Sequence, residues 1–141
     1  MSRPVLITLM LALPVIDLII LAIGALTLKG FKNSHKKITT STHLAEFKKM
    51  VKLHKYLALA SMPILYAPGV LFLLGLFVFD ALTVFPDILF SIGPSAVIIV
   101  AAKLLNGLQS DVENIPVENE ALKQERDRVV GVWHNQALPD W

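Results

Sequence analysis

Long apolar stretches alternate with short charged segments along the chain, and this pattern is the first guide to its structure. Residues 4–28 contain one ionisable side chain, residues 56–79 carry no charge, and residues 86–105 carry charge only near their two ends. Each stretch is long enough to cross a hydrocarbon core about 30 Å thick as an α-helix. A helix satisfies its own backbone hydrogen bonds, as lipid requires. The pattern therefore predicts an all-α membrane protein with three transmembrane helices, at about 4–28, 56–79 and 86–105.

The composition supports a membrane protein. The 141 residues are 55% hydrophobic and only 17% charged, with a mean hydropathy of +0.63, whereas soluble domains are about a quarter charged. The chain has no cysteine, which excludes disulfides, thiolate metal sites and cysteine nucleophiles. We expect the first apolar stretch to remain as an uncleaved helix, because it is longer than a signal-peptide core and carries an acid at its centre.

The basic segment 29–55 predicts the orientation of the chain in the membrane. It contains eight lysines against Glu46 alone, a net charge of +7, and it is short enough for the positive-inside rule to apply. The link after the second stretch carries Asp80 and no base. We therefore expect the basic segment and the C-terminal tail on the cytoplasmic side and the N-terminus outside.

The lysines of this segment are expected to contact anionic lipid head groups, at about 1 kcal/mol per residue near the surface. An acidic protein face, or the acidic tail of the same chain, is the alternative. The lysines are Lys29, Lys32, Lys36, Lys37, Lys48, Lys49, Lys52 and Lys55.

The second half of the basic segment has helical spacing of apolar residues, with Thr42 as the expected N-cap. No glycine or proline separates Glu46 from Met62. We therefore expect one helix that continues from the basic segment into the second apolar stretch, in preference to a separate interfacial helix.

Residues 106–141 form the expected soluble tail, separate from a membrane domain at 1–105. The tail has seven acids and three bases, a net charge of −4. A short amphipathic cytoplasmic helix is predicted from Pro116 to a stop at Gly131. Its apolar face is thin, so it would be marginal alone. Trp133 and Trp141 are expected to anchor the tail on a partner, because aromatic side chains are favoured at protein interfaces.

Asp17 stands in the middle of the first apolar stretch. A carboxyl group at a helix centre costs about 2.5–3.5 kcal/mol on insertion scales, so it should face a polar group rather than lipid. Tyr66 and Ser95 share its depth and can donate hydrogen bonds, which predicts an intramembrane polar cluster. The cluster would fix helix association or line a proton or ion path. The structural role is favoured, because three helices are few for a self-contained path.

His54 lies where the second stretch enters the membrane, a position that suits an axial ligand of a haem or a pigment. The alternative, which we favour, is an interfacial histidine among lysines. No other cofactor and no metal site is expected.

Catalytic patterns are missing from the sequence. There is no glycine-rich phosphate loop, no carboxylate pair at working spacing and no Ser-His-Asp arrangement. Nucleic acid is not expected as a partner, because no aromatic residues interleave the lysines to stack bases. The expected function is a small non-catalytic accessory or structural subunit that anchors or stabilises other integral membrane subunits. The alternatives are an oligomeric proton- or ion-translocating protein that uses Asp17, and a haem- or pigment-binding subunit that uses His54.

Overall fold

The computed structural model describes residues 1–136, and it is helical wherever it has regular structure. The helices are α1 (Arg3–Ser34), α2 (Ser41–Phe77), α3 (Leu89–Glu113) and α4 (Glu120–Asn135). The described residues contain no strand. By length and composition α1, α2 and α3 could each cross a membrane. The expectation of an all-helical chain with three such helices is confirmed.

The described chain divides into two compact units. The apolar unit comprises Met1–Leu21 and Ala60–Lys103. The charged unit comprises Ala22–Leu59 and the described residues from Leu104 onward. The sequence predicted a single boundary at residue 105. In the structure each unit instead contains a part of α1, a part of α2 and a part of α3.

Helix α2 is continuous from the basic segment into the second apolar stretch, as expected. Its N-cap is Thr40, whose hydroxyl accepts a hydrogen bond from the backbone N–H of His43 at 3.2 Å. The predicted cap at Thr42 is wrong, because Thr42 already lies in the first turn of the helix. A hydroxyl at Thr40 can reach a free N–H of that turn from outside the helix.

The link between α2 and α3 folds back on the end of α2 inside the apolar unit. Asp80 adopts a left-handed backbone conformation, with φ of 45°. The N–H groups of Ala81 and Leu82 then both donate to the carbonyl of Gly75, at 2.9 and 3.2 Å. A Cβ atom on Gly75 would come within 2.4 Å of the Leu82 side chain. Glycine is therefore required where the link crosses the helix.

Helix α4 begins later and ends later than the sequence predicted. Its N-cap is Asn119, whose side chain accepts from the N–H of Leu122 at 2.8 Å. Pro116 lies before the helix, where its carbonyl accepts from the N–H of Ile38 at 2.8 Å. Gly131 lies inside the helix, so the predicted stop is wrong. The helix continues because the residues after the glycine pack against α2.

The charged unit has the larger hydrophobic core. Side chains from all four helices are buried together in it, with side chains from the α1–α2 and α3–α4 connections. They are Leu28, Phe31, Ile38, Leu44, Phe47, Met50, Val51, Val112, Ile115, Val129 and Trp133. The tail is therefore folded on its own chain as far as residue 136.

Candidate functional site

The buried side of α1 forms a continuous seam with a carboxyl group near its middle. Its members recur at spacings of three, four or seven residues, so they lie on one face of the helix. Asp17 is 0% exposed and faces the interior of the chain. The members of the seam are Leu6, Met10, Pro14, Asp17, Gly24, Leu28 and Phe31.

Both carboxyl oxygens of Asp17 are buried without a hydrogen-bond partner among the described residues. Burial of a polar group without such a partner costs about 1–3 kcal/mol. The predicted hydrogen bonds from Tyr66 and Ser95 are not formed. The Tyr66 side chain is 68% exposed, so it points away from the interior. The hydroxyl of Ser95 donates instead to the carbonyl of Ser91 at 2.8 Å.

Tyr66 and Ser95 do lie together, but on the outer surface of the apolar unit. They line a groove between α2 and α3 with a volume of about 540 Å³. The other lining residues are apolar or small, and no carboxyl group is among them. They are Leu65, Gly69, Ser91, Ile92, Ala96 and Ile99. We call this the α2–α3 groove.

His54 is buried against the tail helix. Its Nδ1 accepts a hydrogen bond from Nε1 of Trp133 at 3.3 Å, and the two rings meet edge to face with centroids 5.4 Å apart. In a neutral imidazole that accepts at Nδ1, the proton resides on Nε2. That Nε2 is buried without a partner in the described chain.

The geometry of His54 does not fit a haem or pigment ligand. An axial ligand presents a bare Nε2 to the metal and usually donates from Nδ1, which is the opposite proton arrangement. The ring is only 7% exposed and lies against Gly24. Residues 1–136 contain no group of three or more His, Cys, Asp or Glu side chains placed to hold a metal ion.

Four of the eight lysines bind the tail of the same chain, which is the alternative considered for them above. Lys32 pairs with Asp111 at 2.8 Å, and Lys48 pairs with Glu125 at 2.6 Å. The Lys48 hydrogen bond lowers the pKa of Glu125. A longer contact of 3.8 Å joins Lys37 to Glu118, and Lys55 donates to the carbonyl of Gln136.

The remaining four lysines, Lys29, Lys36, Lys49 and Lys52, form no ion pair within the described chain. The first three are exposed and Lys52 is half-buried. They remain the candidates for contact with lipid head groups.

Trp133 is not available as a partner anchor. Its side chain is 3% exposed and packs against Phe47 as well as His54, with ring centroids 6.1 Å apart for the phenylalanine. The second predicted anchor, Trp141, lies outside the described residues. Three tail acids pair with lysines of the basic segment, and Trp133 lies in the core of the same chain, so these contacts of the tail are made within the chain.

Sequence reasoning missed an ion pair inside the apolar unit. Asp87, in the link before α3, is fully buried and accepts from Arg3 at 2.7 Å and from the backbone N–H of Thr83 at 2.9 Å. The hydrogen bond from Arg3, followed by the one from Thr83, lowers the pKa of Asp87 to about 2. The signal was present, since Arg3 is the lone base before Lys29.

Comparison of the chain with protein-family models, with curated proteins and with solved structures finds no match in any of the three. What the protein does must therefore be inferred from its own geometry.

Proposed function

We propose that the protein is a small non-catalytic accessory subunit of a larger integral membrane complex. The observation that carries this proposal is the position of Tyr66. It lies about 15 Å along α2 from Tyr56, near the middle of the apolar stretch. Its hydroxyl points outward and forms no hydrogen bond within the described chain.

Lipid cannot satisfy that hydroxyl. Tyrosine is normally placed at the membrane–water interface, where its polar end reaches head groups or water. At the depth of Tyr66 only acyl chains or protein are available. Helices in membranes associate through small residues and interhelical hydrogen bonds, and the α2–α3 groove offers both. A neighbouring membrane helix is therefore the partner that this face fits.

Exposed apolar area supports the same proposal. Only 11% to 22% of the most apolar window of each long helix is buried inside the chain. Packing within one chain is thus a small part of the contact that these helices can make. The rest is available to lipid and to the helices of other subunits.

The first test is co-purification in a mild detergent of the tagged full-length chain. We expect other membrane proteins in the particle, and we expect Tyr66→Phe to lower their yield about threefold, as the loss of one intramembrane hydrogen bond of average strength would. Tyr56→Phe is the matched control, because Tyr56 is the only other tyrosine and lies at the end of the apolar stretch. A particle that contains only this chain would refute the accessory role.

We further propose that the basic segment lies on the cytoplasmic side, where its unpaired lysines contact anionic lipid. The +7 charge of residues 29–55 supports this orientation. The chain has no cysteine, so single cysteines at Lys36 and Thr83 can be labelled without background. A membrane-impermeant maleimide should label them from opposite sides of intact cells. Labelling of both from one side would rule out this arrangement.

A second candidate function is proton or ion translocation by an oligomer. One observation favours it: Asp17 is fully buried with both oxygens unpartnered in the described chain. A packing role would be expected to satisfy them. This candidate requires that flux disappear when the carboxyl is replaced.

A further inference from the structure

The C-terminal end of α4 is held by two neighbouring residues of α2, all within the charged unit. Trp133 donates from its indole nitrogen to Nδ1 of His54 at 3.3 Å. Three residues later the carbonyl of Gln136 accepts a hydrogen bond from Lys55. The first of these contacts requires a lone pair on a histidine nitrogen, and histidine ordinarily titrates near neutral pH.

Only the neutral form of His54 can make this contact. An imidazolium carries a proton on both ring nitrogens, so its N–H group would face the N–H group of Trp133, 3.3 Å away. Rotation of the ring gives no relief, because it presents the second N–H group in place of the first. The indole also turns its N–H edge to the imidazole, and the edge of an aromatic ring is positively polarised. A cation at His54 is therefore repelled by Trp133.

The charges around His54 do not offset a proton on it. Lys55, on the same helix, adds a second positive charge beside the ring. Glu113 of α3 attracts a cation there, but its carboxyl group is already engaged. Its Oε1 accepts from Gln109 at 2.7 Å and lies 3.1 Å from Nε2 of His134 on α4.

Burial adds to the cost of a charged His54. The side chain is almost fully buried, and its Nε2 has no partner among the described residues. On the α1 side the ring lies against Gly24, which carries no charge. Desolvation lowers the pKa of His54, Lys55 lowers it further, and Glu113 opposes the two more weakly.

We propose that protonation of His54 releases α4, so that docking of the tail helix is sensitive to acid. The released chain takes up a proton on His54 below about pH 6.5, the ordinary pKa of histidine, whereas the docked chain takes it up only at lower pH. Docking is therefore at full strength above that pH and weakens below it. Because release is coupled to one proton, the ratio of docked to released helix falls at most about tenfold per pH unit.

Other titrating groups near α4 do not produce the same effect. Carboxyl groups ordinarily titrate near about pH 4, and the hydrogen bond from Lys48 lowers the pKa of Glu125 further. Protonation of His134 would strengthen its ion pair with Glu113, so it would favour docking in acid. Weaker docking between about pH 8 and about pH 5 therefore points to His54.

Tryptophan fluorescence in urea tests the proposal on the detergent-solubilised full-length chain. Trp141→Phe leaves Trp133 as the single tryptophan, so a red-shifted emission maximum reports its exposure on release. Urea titrations at about pH 8 and about pH 5 give the ratio of docked to released helix, compared at one urea concentration by linear extrapolation. We expect a ratio lower at the acid pH by up to about 30-fold, because that pH lies about 1.5 units below the pKa of free histidine.

His54→Gln is the deciding variant in this background. Its amide oxygen can accept from Trp133 but cannot take up a proton, so the acid shift should disappear. His134→Gln is the matched control, because it removes the other histidine of this contact region and should keep the shift. A parent chain without an acid shift, or an equal shift in His54→Gln, would overturn the proposal. If His54→Gln does not fold, His54→Phe supplies a ring that cannot titrate, and the same two outcomes apply.

Discussion

Replacement of Trp133 by alanine should release α4 from the rest of the charged unit. The side chain is almost fully buried between Phe47 and His54. Truncation of a buried tryptophan to alanine costs about 3–5 kcal/mol. That exceeds a hundredfold change in the ratio of docked to released helix. Limited proteolysis in detergent should show the tail cleaved at least a hundred times faster, with the three long helices left intact.

Two controls separate packing from hydrogen bonding and from charge. Trp133→Phe keeps most of the packing but loses the bond to His54, so its effect should be near 1 kcal/mol. High salt should matter less than Trp133→Ala, because ion pairs such as Lys32 to Asp111 are half exposed, and exposed pairs contribute little. If salt releases the tail and Trp133→Ala does not, then charge holds the tail and the hydrophobic contact is secondary.

The number of long helices could be predicted from the sequence because apolar length is a local property. The continuity of α2 was predictable for the same reason, since no glycine or proline interrupts residues 46–62. The ends were not. Helix α1 continues to Ser34, six residues beyond the predicted end at residue 28, because lysine favours an α-helix about as well as leucine does. Hydropathy marks where lipid ends, whereas hydrogen bonding and caps mark where a helix ends.

The direction in which each side chain points could not be predicted. In a soluble helix a polar face identifies the solvent side, but in an apolar helix both the lipid side and the buried side are hydrophobic. Tyr66 was predicted as a partner of Asp17 because the two residues have the same expected depth in the membrane. In the structure the tyrosine points outward instead. The seam of α1 can be identified only from the burial of its side chains in the structure.

The surface on which the tail packs could not be predicted, because it depends on contacts between residues distant in sequence. The charges of +7 and −4 made pairing within the chain a real alternative, and the ion pairs of Lys32 and Lys48 follow it. From the sequence alone, Trp133 could equally contact a partner protein or be buried in the core of its own chain. Nothing local distinguishes the two, and the buried position of Trp133 decides it.

Asp17 offers the sharpest separation of a structural from a functional role. Because both of its oxygens lack partners in the described chain, replacement by valine removes a buried polar group that costs about 1–3 kcal/mol. Valine has a similar volume, so it should leave little cavity or overpacking. We therefore expect Asp17→Val to raise the unfolding temperature of the detergent-solubilised protein. Asp17→Asn should leave that temperature nearly unchanged, because it keeps an unsatisfied polar side chain at the same position.

Function then decides between the two roles. If Asp17 carries protons or ions, both variants should assemble normally and lose flux into vesicles under an applied potential, since neither side chain can exchange a proton. A gain in stability with loss of activity is the trade expected of a functional group. If Asp17 instead has a packing role within its own chain, both variants should keep their assembly and their flux, and Asp17→Val should lower the unfolding temperature rather than raise it. A protein whose stability, assembly and flux are all unchanged in Asp17→Val would exclude both roles, because the buried carboxyl would then contribute to neither.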